Sequence, residues 1–497
     1  MFRQDDTICA PATSVGAGAV SIIRVSGPDA LALADRIVEF RNGSASASDG
    51  YMLKYGSVPG VDEVLVSIFR APHSYTGEDS VEIACHASAY IVQRIMELLI
   101  AGGARSADPG EFTRRAFVNG KMDLAQAEAV ADLIAAGSEA AHKVALNQLR
   151  GRYSDALRDL RERLVRLASL LELELDFSEE DVEFADRTEL RRLLDETDAR
   201  ISALRDSFRL GNAIRKGVPV AIVGAVNAGK STLLNALLGE DRAIVSDVPG
   251  TTRDTVEEIL TLGGVQFRFI DTAGIRESSD TVERKGIERS LQSLSKADVV
   301  LGVLDGCAPL EESRKACAEI VSHLSPGQNL IIVRNKVDAF DAIAPEEFPA
   351  VDRSYGIFPL NYPAFGTYNL DPDAFADALK AYLEEKGITV PEGFSVLDIS
   401  ARTGEGLDSL RERISAPYMS VSASPDATLV SNLRHYEALT RAAEELARVR
   451  SGLDSGATPD LLADDLRAAI YSLNSIFGEV TSEDILQTIF QRFCIGK

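Results

Sequence analysis

The chain has 497 residues, 45% of them hydrophobic, which is enough length for about three domains with buried cores. Its 76 acidic and 52 basic side chains leave a formal charge of −24. That charge disfavours non-specific binding along a nucleic-acid backbone, so any RNA contact needs a local basic face or a partner's surface. Five cysteines without paired or metal-ligand spacing, a start (Met1-Phe2-Arg3-Gln4-Asp5-Asp6) unlike a signal peptide, and no apolar run of membrane-spanning length point to the cytoplasm and away from any membrane.

In chain order, residues 1 to 120 read as an α/β domain, with strand-like runs at Ser21 to Val25 and Glu63 to Phe69. From Met122 to about Leu210 the texture is helical, with almost no Gly or Pro. Leu157, Leu160, Leu164, Leu167 and Leu171 recur at spacings of 3 and 4, the stripe of a helix that buries one face. The acidic run Glu172 to Asp186 reads as a solvated loop or a helix start. A strand at Val218 to Val223 and a helix at Leu233 to Leu238 bracket a glycine-containing loop. Residues 217 to 416 follow as a further α/β domain, with Asp341 to Phe394 expected as an insertion of unassigned role. After Pro417 helices return at Asn432 to Arg450 and Pro459 to Phe477. The expected fold is therefore multidomain α/β plus α: an N-terminal α/β domain, a helical domain in two parts (121–216 and 417–497), and an inserted α/β domain. Insertion is economical because the two ends of such a domain lie close together.

The loop is Gly224-Ala225-Val226-Asn227-Ala228-Gly229-Lys230-Ser231-Thr232, a complete G-x-x-x-x-G-K-S phosphate-binding loop between strand and helix. Its glycines let consecutive N–H groups wrap a phosphate chain, Lys230 can reach the β/γ-phosphates, and the Ser231 hydroxyl can ligate Mg²⁺. Such a loop alone is not decisive; its companions are. A threonine of Gly250-Thr251-Thr252 can close on Mg²⁺ and the γ-phosphate. An apolar strand (Val265, Phe267, Phe269) leads to Asp271-Thr272-Ala273-Gly274, where a carboxylate can hold a Mg²⁺-bound water and the Gly274 N–H can meet the γ-phosphate. Leu330 to Val333 leads to Asn335-Lys336-Val337-Asp338, whose last carboxylate can accept from guanine N1 and N2; adenine would leave it unpaired. Ser400-Ala401-Arg402 follows the strand Val396 to Ile399 and can meet guanine O6 through backbone N–H. Four such motifs in this order after the loop make residues 217 to 416 an inserted P-loop, Ras-like GTPase domain.

Many GTPases place Gln after the D-x-x-G glycine to orient the attacking water; here that residue is Ile275, which cannot polarise water. Hydrolysis is then either very slow or carried by other groups. Asn227 can place a monovalent cation against the β/γ bridge, where it would stabilise developing charge. Glu283 can position water, or it is an ordinary exposed residue of a highly charged helix.

Beyond these motifs three segments carry a resemblance. They are Gly110 to Ile134, Asp6-Thr7-Ile8-Cys9-Ala10 together with Ile23-Arg24-Val25-Ser26-Gly27, and Phe493-Cys494-Ile495-Gly496-Lys497. On them the chain resembles, over nearly its whole length, the tRNA modification GTPases of the MnmE/TrmE family. The resemblance implies a GTPase that acts with an FAD-binding partner (MnmG/GidA-like) in a heterotetramer. Together they place an aminomethyl or carboxymethylaminomethyl group at C5 of the wobble uridine of tRNA. It implies a homodimer whose N-terminal domain binds a tetrahydrofolate derivative (5-formyl or 5,10-methylene) through Arg24, Glu82, Lys121 and Lys497. It extends the GTP contacts over Ser246-Asp247-Val248-Pro249-Gly250. It assigns K⁺ to the Asn227 side chain, the Ser246 and Val248 carbonyls and Thr251, and Mg²⁺ to Ser231 and Thr252. It makes Glu283 the water-positioning residue and, with Lys230, part of the catalytic set.

Cys494 keeps three readings: a C-a-a-X lipidation site that Gly496 and Lys497 fit poorly, a small buried hydrophobe, and a participant in the modification implied by the resemblance. Two departures from the family pattern stand out. Val226 replaces a usual Pro in a position that only shapes the loop. Ser14 to Ala19 replaces a Pro-Gly-Arg-Gly-like stretch, which removes an arginine near the folate domain. The alternative to a modifying enzyme is a ribosome-assembly or RNA-binding switch GTPase. Such proteins often carry a KH domain with a G-x-x-G loop, and no two glycines here are three apart.

Overall fold

The computed structural model describes residues 6–14, 18–176, 187–239, 257–270, 294–339, 370–391, 393–423, 428–480, 483–491, 493 and 496. They form two compact units. One comprises Met1–Ala135, Ala145–Asp206 and Leu433–Lys497, the other Ala136–Val144 and Ser207–Asn432.

The first unit holds seven strands: β1 (Ile8–Pro11), β2 (Val20–Ser26), β3 (Glu39–Phe40), β4 (Met52–Val58), β5 (Asp62–Phe69), β6 (Ser80–His86) and β7 (Arg105–Ser106). They join in the order β3-β4-β5-β6-β2-β1-β7, antiparallel except for β1 beside β7. Side chains alternate across such a sheet. Ile23, Val25, Val64, Val66, Ile68, Val81 and Ile83 therefore share one face, covered by the helices Ala30–Ile37 and Ala89–Ala101 through Leu33, Ile95 and Leu99. The intervening residues, Arg24 and Glu82 among them, face the other way.

The helical part of this unit packs Arg152–Asp176 and Arg187–Asp206 with Leu433–Ser455 and Pro459–Phe477. All five leucines of the expected stripe, Leu157 to Leu171, are buried. In its interior Glu128 accepts from His435 Nε2 at 2.7 Å and from Arg434 Nη2 at 2.8 Å, while the Tyr153 ring stacks on His435 at 5.3 Å. The late chain also returns to the early chain. Phe490 and Phe493 are buried with Leu124 and Ala127. Gly110 has no room for a Cβ, which would stand 2.7 Å from the Phe490 carbonyl oxygen. Gly496 lies so close to β1 that a Cβ would stand 2.1 Å from the Pro11 carbonyl oxygen.

The second unit carries β8 (Val218–Gly224), β9 (Glu258–Leu262), β10 (Val265–Phe269), β11 (Val299–Asp305), β12 (Asn329–Asn335) and β13 (Ser395–Asp398), in the order β13-β12-β11-β8-β10-β9. Only β9 runs antiparallel. The central strands β8, β11 and β12 are buried and apolar through their middles because helices cover both faces, whereas β10 alternates apolar with polar residues. Lys230–Leu238 and Leu407–Ala423 pack on one side through Leu233, Leu234, Leu237, Leu410 and Ile414. Leu310–Ser322 and Pro372–Glu385 pack on the other through Cys317, Ile320, Phe375, Leu379 and Leu383.

Two expectations change. The segment 341–394 is not an insertion throughout. Residues 340–369 lie outside the described residues, but Pro372–Glu385 is a core helix of the sheet, started by the Asp371 side chain accepting from the Ala374 N–H. The boundary expected at 416–417 falls inside the helix Leu407–Ala423, which continues through Pro417. Beyond that proline Tyr418 is buried edge-on against Phe267 at 5.6 Å, packing that offsets the hydrogen bond a proline cannot donate.

Candidate functional site

The phosphate-loop motif joins β8 to the helix Lys230–Leu238, at the carboxyl edge of the parallel sheet where open α/β folds bind ligands. Its two glycines have separate reasons. Gly224 passes the end of β11 so closely that a Cβ would stand 2.1 Å from the Val303 carbonyl oxygen. Gly229 is the N-cap of the helix in a left-handed conformation, φ +95°, where a Cβ would stand 2.1 Å from Asn335 Nδ2. Asn227 is also left-handed, with φ +63°. Lys230 Nζ donates to the Gly224 and Ala225 carbonyls at 2.8 and 2.7 Å, and burial lowers the pKa of its ammonium. The ammonium is thus held against the loop it serves. Ser231 and Thr232 follow in the first turn, where the helix N-terminus favours anions.

The base-reading motifs end the neighbouring strands. Asn335, 2% exposed, closes β12 and reaches in two directions. Its Nδ2 donates to the Ala228 carbonyl at 2.9 Å, and its Oδ1 accepts from the Ala401 N–H at 3.0 Å. One carboxamide therefore ties the phosphate loop to the segment after β13. Lys336, at φ +72°, pairs with Asp305 Oδ2 at 2.6 Å. Val337 N–H donates to the Ile399 carbonyl. Asp338 accepts from the Ser400 hydroxyl at 2.6 Å and pairs with Arg402 at 2.5 Å; the Ser400 hydrogen bond first, and the Arg402 charge after it, hold its carboxyl below the usual range. Both partners leave the side chain an acceptor only, as reading two guanine donors requires. Asp305 was missed by sequence reasoning, although Asp305-Gly306 ending an apolar run is a visible sign of a strand entering a loop.

Asn227 to Thr232, Asn335 to Asp338 and Ser400 to Arg402 are thus gathered at one edge of the sheet. The expected residues Ser246, Asp247, Val248, Pro249, Gly250, Thr251 and Thr252, then Asp271, Thr272, Ala273, Gly274 and Glu283, lie outside the described residues, as do Cys494 and Lys497.

In the other unit Arg24 and Glu82 are register partners on β2 and β6, and Arg24 Nε and Nη2 both donate to Glu82 Oε1, at 2.9 and 2.8 Å. The guanidinium sits 5.2 Å from the Tyr75 ring and 5.6 Å from the Phe112 ring. Lys121 Nζ donates to the Pro72 carbonyl at 2.9 Å, and its stem packs beside Gly77. Three expected residues thus meet around residues 72–77, with Tyr75 as a fourth that no motif announced. Among the described residues no helix is long and apolar enough to cross a membrane, and no cluster of His, Cys, Asp or Glu is arranged to hold a metal.

Two family models match: "GTP-binding protein TrmE N-terminus" over residues 7–121 and "MnmE helical domain" over residues 124–494. Curated relatives named tRNA modification GTPase MnmE include that of Bacteroides thetaiotaomicron, 48% identical and covering 99% of both chains. That of Bacteroides fragilis is 47% identical, again over 99% of both. That of Porphyromonas gingivalis is 46% identical over 99% of this chain and 98% of its own. Among solved structures, the G domain of the T. maritima FeoB iron transporter matches 40% of this chain and 98% of its own at 26% identity, with a TM-score of 0.24, too loose to argue from.

Proposed function

The chain belongs to the MnmE family of tRNA modification GTPases, and from that premise we propose that it binds and hydrolyses GTP to drive modification at C5 of the wobble uridine of tRNAs. The observation that carries the nucleotide reading is the Asn335 side chain, bonded at once to the phosphate loop and to the Ser400-Ala401-Arg402 segment. That arrangement suits a ligand with phosphates at one end and a guanine at the other. Gly224 and Gly229 leave the loop free of side-chain bulk, Lys230 supplies a cation to the β/γ-phosphates, and Asp338 accepts from the base.

Ser231 and Thr252 would hold Mg²⁺, which supplies charge neutralisation at the phosphates when bound. Asn227, with the Ser246 and Val248 carbonyls and Thr251, would hold K⁺, and Glu283 would position water in place of the glutamine that Ile275 replaces. Arg24, Glu82, Lys121 and Lys497 form the folate reading. Its support here is chemical: a carboxylate can accept from a pterin's amino and ring N–H groups, and cations suit a glutamate tail. A homodimer, an FAD-dependent partner and a part for Cys494 in the modification complete the proposal.

Two measurements test it. GTPase rates in KCl should greatly exceed those in NaCl at equal ionic strength, and Asn227→Ala should abolish the difference; equal rates in the unmodified protein sink the cation reading. Mass spectrometry of wobble uridines from cells lacking the protein should show the C5 group missing. Unchanged uridines would leave a switch GTPase without modifying activity.

A further inference from the structure

An ion pair between a buried arginine and a partly exposed aspartate lies between the two base-reading loops and belongs to neither motif. β12 and β13 share a parallel ladder of four rungs, and Arg334 opposite Asp398 is the last of them. Beyond this rung the strands part into Asn335 to Asp338 on one side and Ser400 to Arg402 on the other. Arg334 is 1% exposed. Its Nε donates to Asp398 Oδ1 at 2.6 Å, and its Nη2 donates to Asp398 Oδ2 and to the Leu370 carbonyl, the latter at 2.9 Å. The guanidinium also lies 4.8 Å from the Phe375 ring centroid, at the start of the helix Pro372–Glu385. The backbone follows the same line: Ile399 N–H donates to the Arg334 carbonyl at 2.9 Å.

Such a pair is a weak source of stability. Desolvating Arg334 wholly and Asp398 in part offsets much of their attraction, and apolar side chains of similar volume often serve as well or better. What a planar guanidinium on a carboxylate supplies is geometry, because the two-pronged contact fixes both distance and orientation. Here that geometry is passed on by direct neighbours. Arg334 precedes Asn335, which holds the Ala401 N–H. Asp398 stands two residues before Ser400, which holds the Asp338 carboxylate. A slip between the two strands changes the distance between the carboxylate that meets guanine N1 and N2 and the backbone N–H that meets O6.

We propose that the Arg334–Asp398 pair is a positioning device for guanine selectivity, fixing the spacing of the two base-reading loops rather than stabilising the unit. This rests on the reading of Asp338 as the base-reading carboxylate. The test measures GDP and IDP affinity and the thermal midpoint of the full-length protein with Mg²⁺. IDP lacks the 2-amino group and makes one bond fewer to Asp338, so the GDP-to-IDP affinity ratio reports the base contact, whereas general loosening of the unit weakens both alike.

In Arg334→Met with Asp398→Leu, the midpoint should hold or rise. The ratio should narrow about tenfold, the scale of one charge-assisted hydrogen bond. Arg334→Lys, which keeps the charge but not the fork, should narrow it less. An unchanged ratio in the folded double variant, or an equal loss for both nucleotides, overturns the proposal. Should the double variant not fold, Arg334→Lys and Asp398→Asn decide on the same ratio. Asp338→Asn, measured alongside, separates the two levels: an unchanged ratio there rejects the base-site reading itself, whatever the pair does.

Discussion

At the edge of the parallel sheet the proposed nucleotide site depends on backbone shape: Gly224 and Gly229 stand where no side chain fits, and Asn227 and Lys336 have positive φ. In the proposed site the phosphate loop acts through the backbone that Gly224 and Gly229 shape, and the segment after β13 is tied to it by the Ala401 N–H, which donates to Asn335 Oδ1. On the seven-stranded sheet the candidate groups are side chains: Arg24 and Glu82 across a register pair, Tyr75 against Arg24, and Lys121 on the Pro72 carbonyl. The difference governs both how each site tolerates change and how it shows in a sequence. A backbone-built site depends on particular φ values and close approaches, so it demands fixed residue types at fixed spacing. A side-chain site can be assembled from distant positions with no spacing rule.

The comparison breaks most sharply at Gly224. Gly224→Ala would place a Cβ 2.1 Å from a backbone oxygen that cannot move aside. GTP affinity should fall by at least about a hundredfold, or ~3 kcal/mol, in calorimetry. Near-normal binding would mean the loop is not built by its backbone. Asp338→Asn comes next, since it alters one side chain in an intact backbone frame. GTP binding should weaken, and XTP binding should be gained because the amide can donate to the 2-oxo group; undiminished GTP affinity removes Asp338 from base reading. On the other sheet, Arg24→Ala or Lys121→Ala should weaken 5-formyltetrahydrofolate binding by about 1–3 kcal/mol each, with GTP binding untouched. Folate binding that survives both substitutions takes the ligand away from that cluster.

The smallest effect concerns a charge in neither site. Burial alone would raise the Glu128 carboxyl, but the His435 and Arg434 charges outweigh it and hold it at about 2, down from an ordinary 4.5. A lowered carboxyl pKa contributes stability that is complete above about 4.5 and is lost as pH falls toward about 2. Urea midpoints should therefore fall across that window, and Glu128→Gln should flatten the slope. A slope unchanged by the substitution would assign the acid sensitivity to other carboxylates.

The same division explains what could be read from the sequence. β10 was expected at Val265 to Phe269 and the helix at Pro459 to Phe477, and both have those bounds, because strict periodicity and flanking turn residues leave little choice. Asn335 and Asp338 were legible through their motif, but the double tie of Asn335 was not, since its partners lie 107 and 66 residues away. The helix Pro372–Glu385 was missed although Asp371-Pro372 is a helix start and Phe375, Leu379 and Leu383 recur at spacings of 4. Pro and aromatic residues just upstream obscured the pattern. Arg24 facing Glu82 was reached only through resemblance, because no local pattern records which residues of two strands stand opposite.

The Glu128–Arg434 contact spans 306 residues and the Pro11–Gly496 approach nearly the whole chain. During synthesis at about 5–20 residues per second, Glu128 leaves the ribosome some 15–60 seconds before its partner exists. All of the 207–432 segment is synthesised within that interval, and the Ala136–Val144 stretch that shares its unit precedes it. The helical interior, by contrast, waits with an acidic group and several leucines uncovered. The order of synthesis follows from connectivity: the seven-stranded sheet first, the enclosed unit next, and the partners of the helical interior last. A stall anywhere in the late helices leaves a product with a finished nucleotide fold and an open partner, a natural target for holding chaperones and proteases.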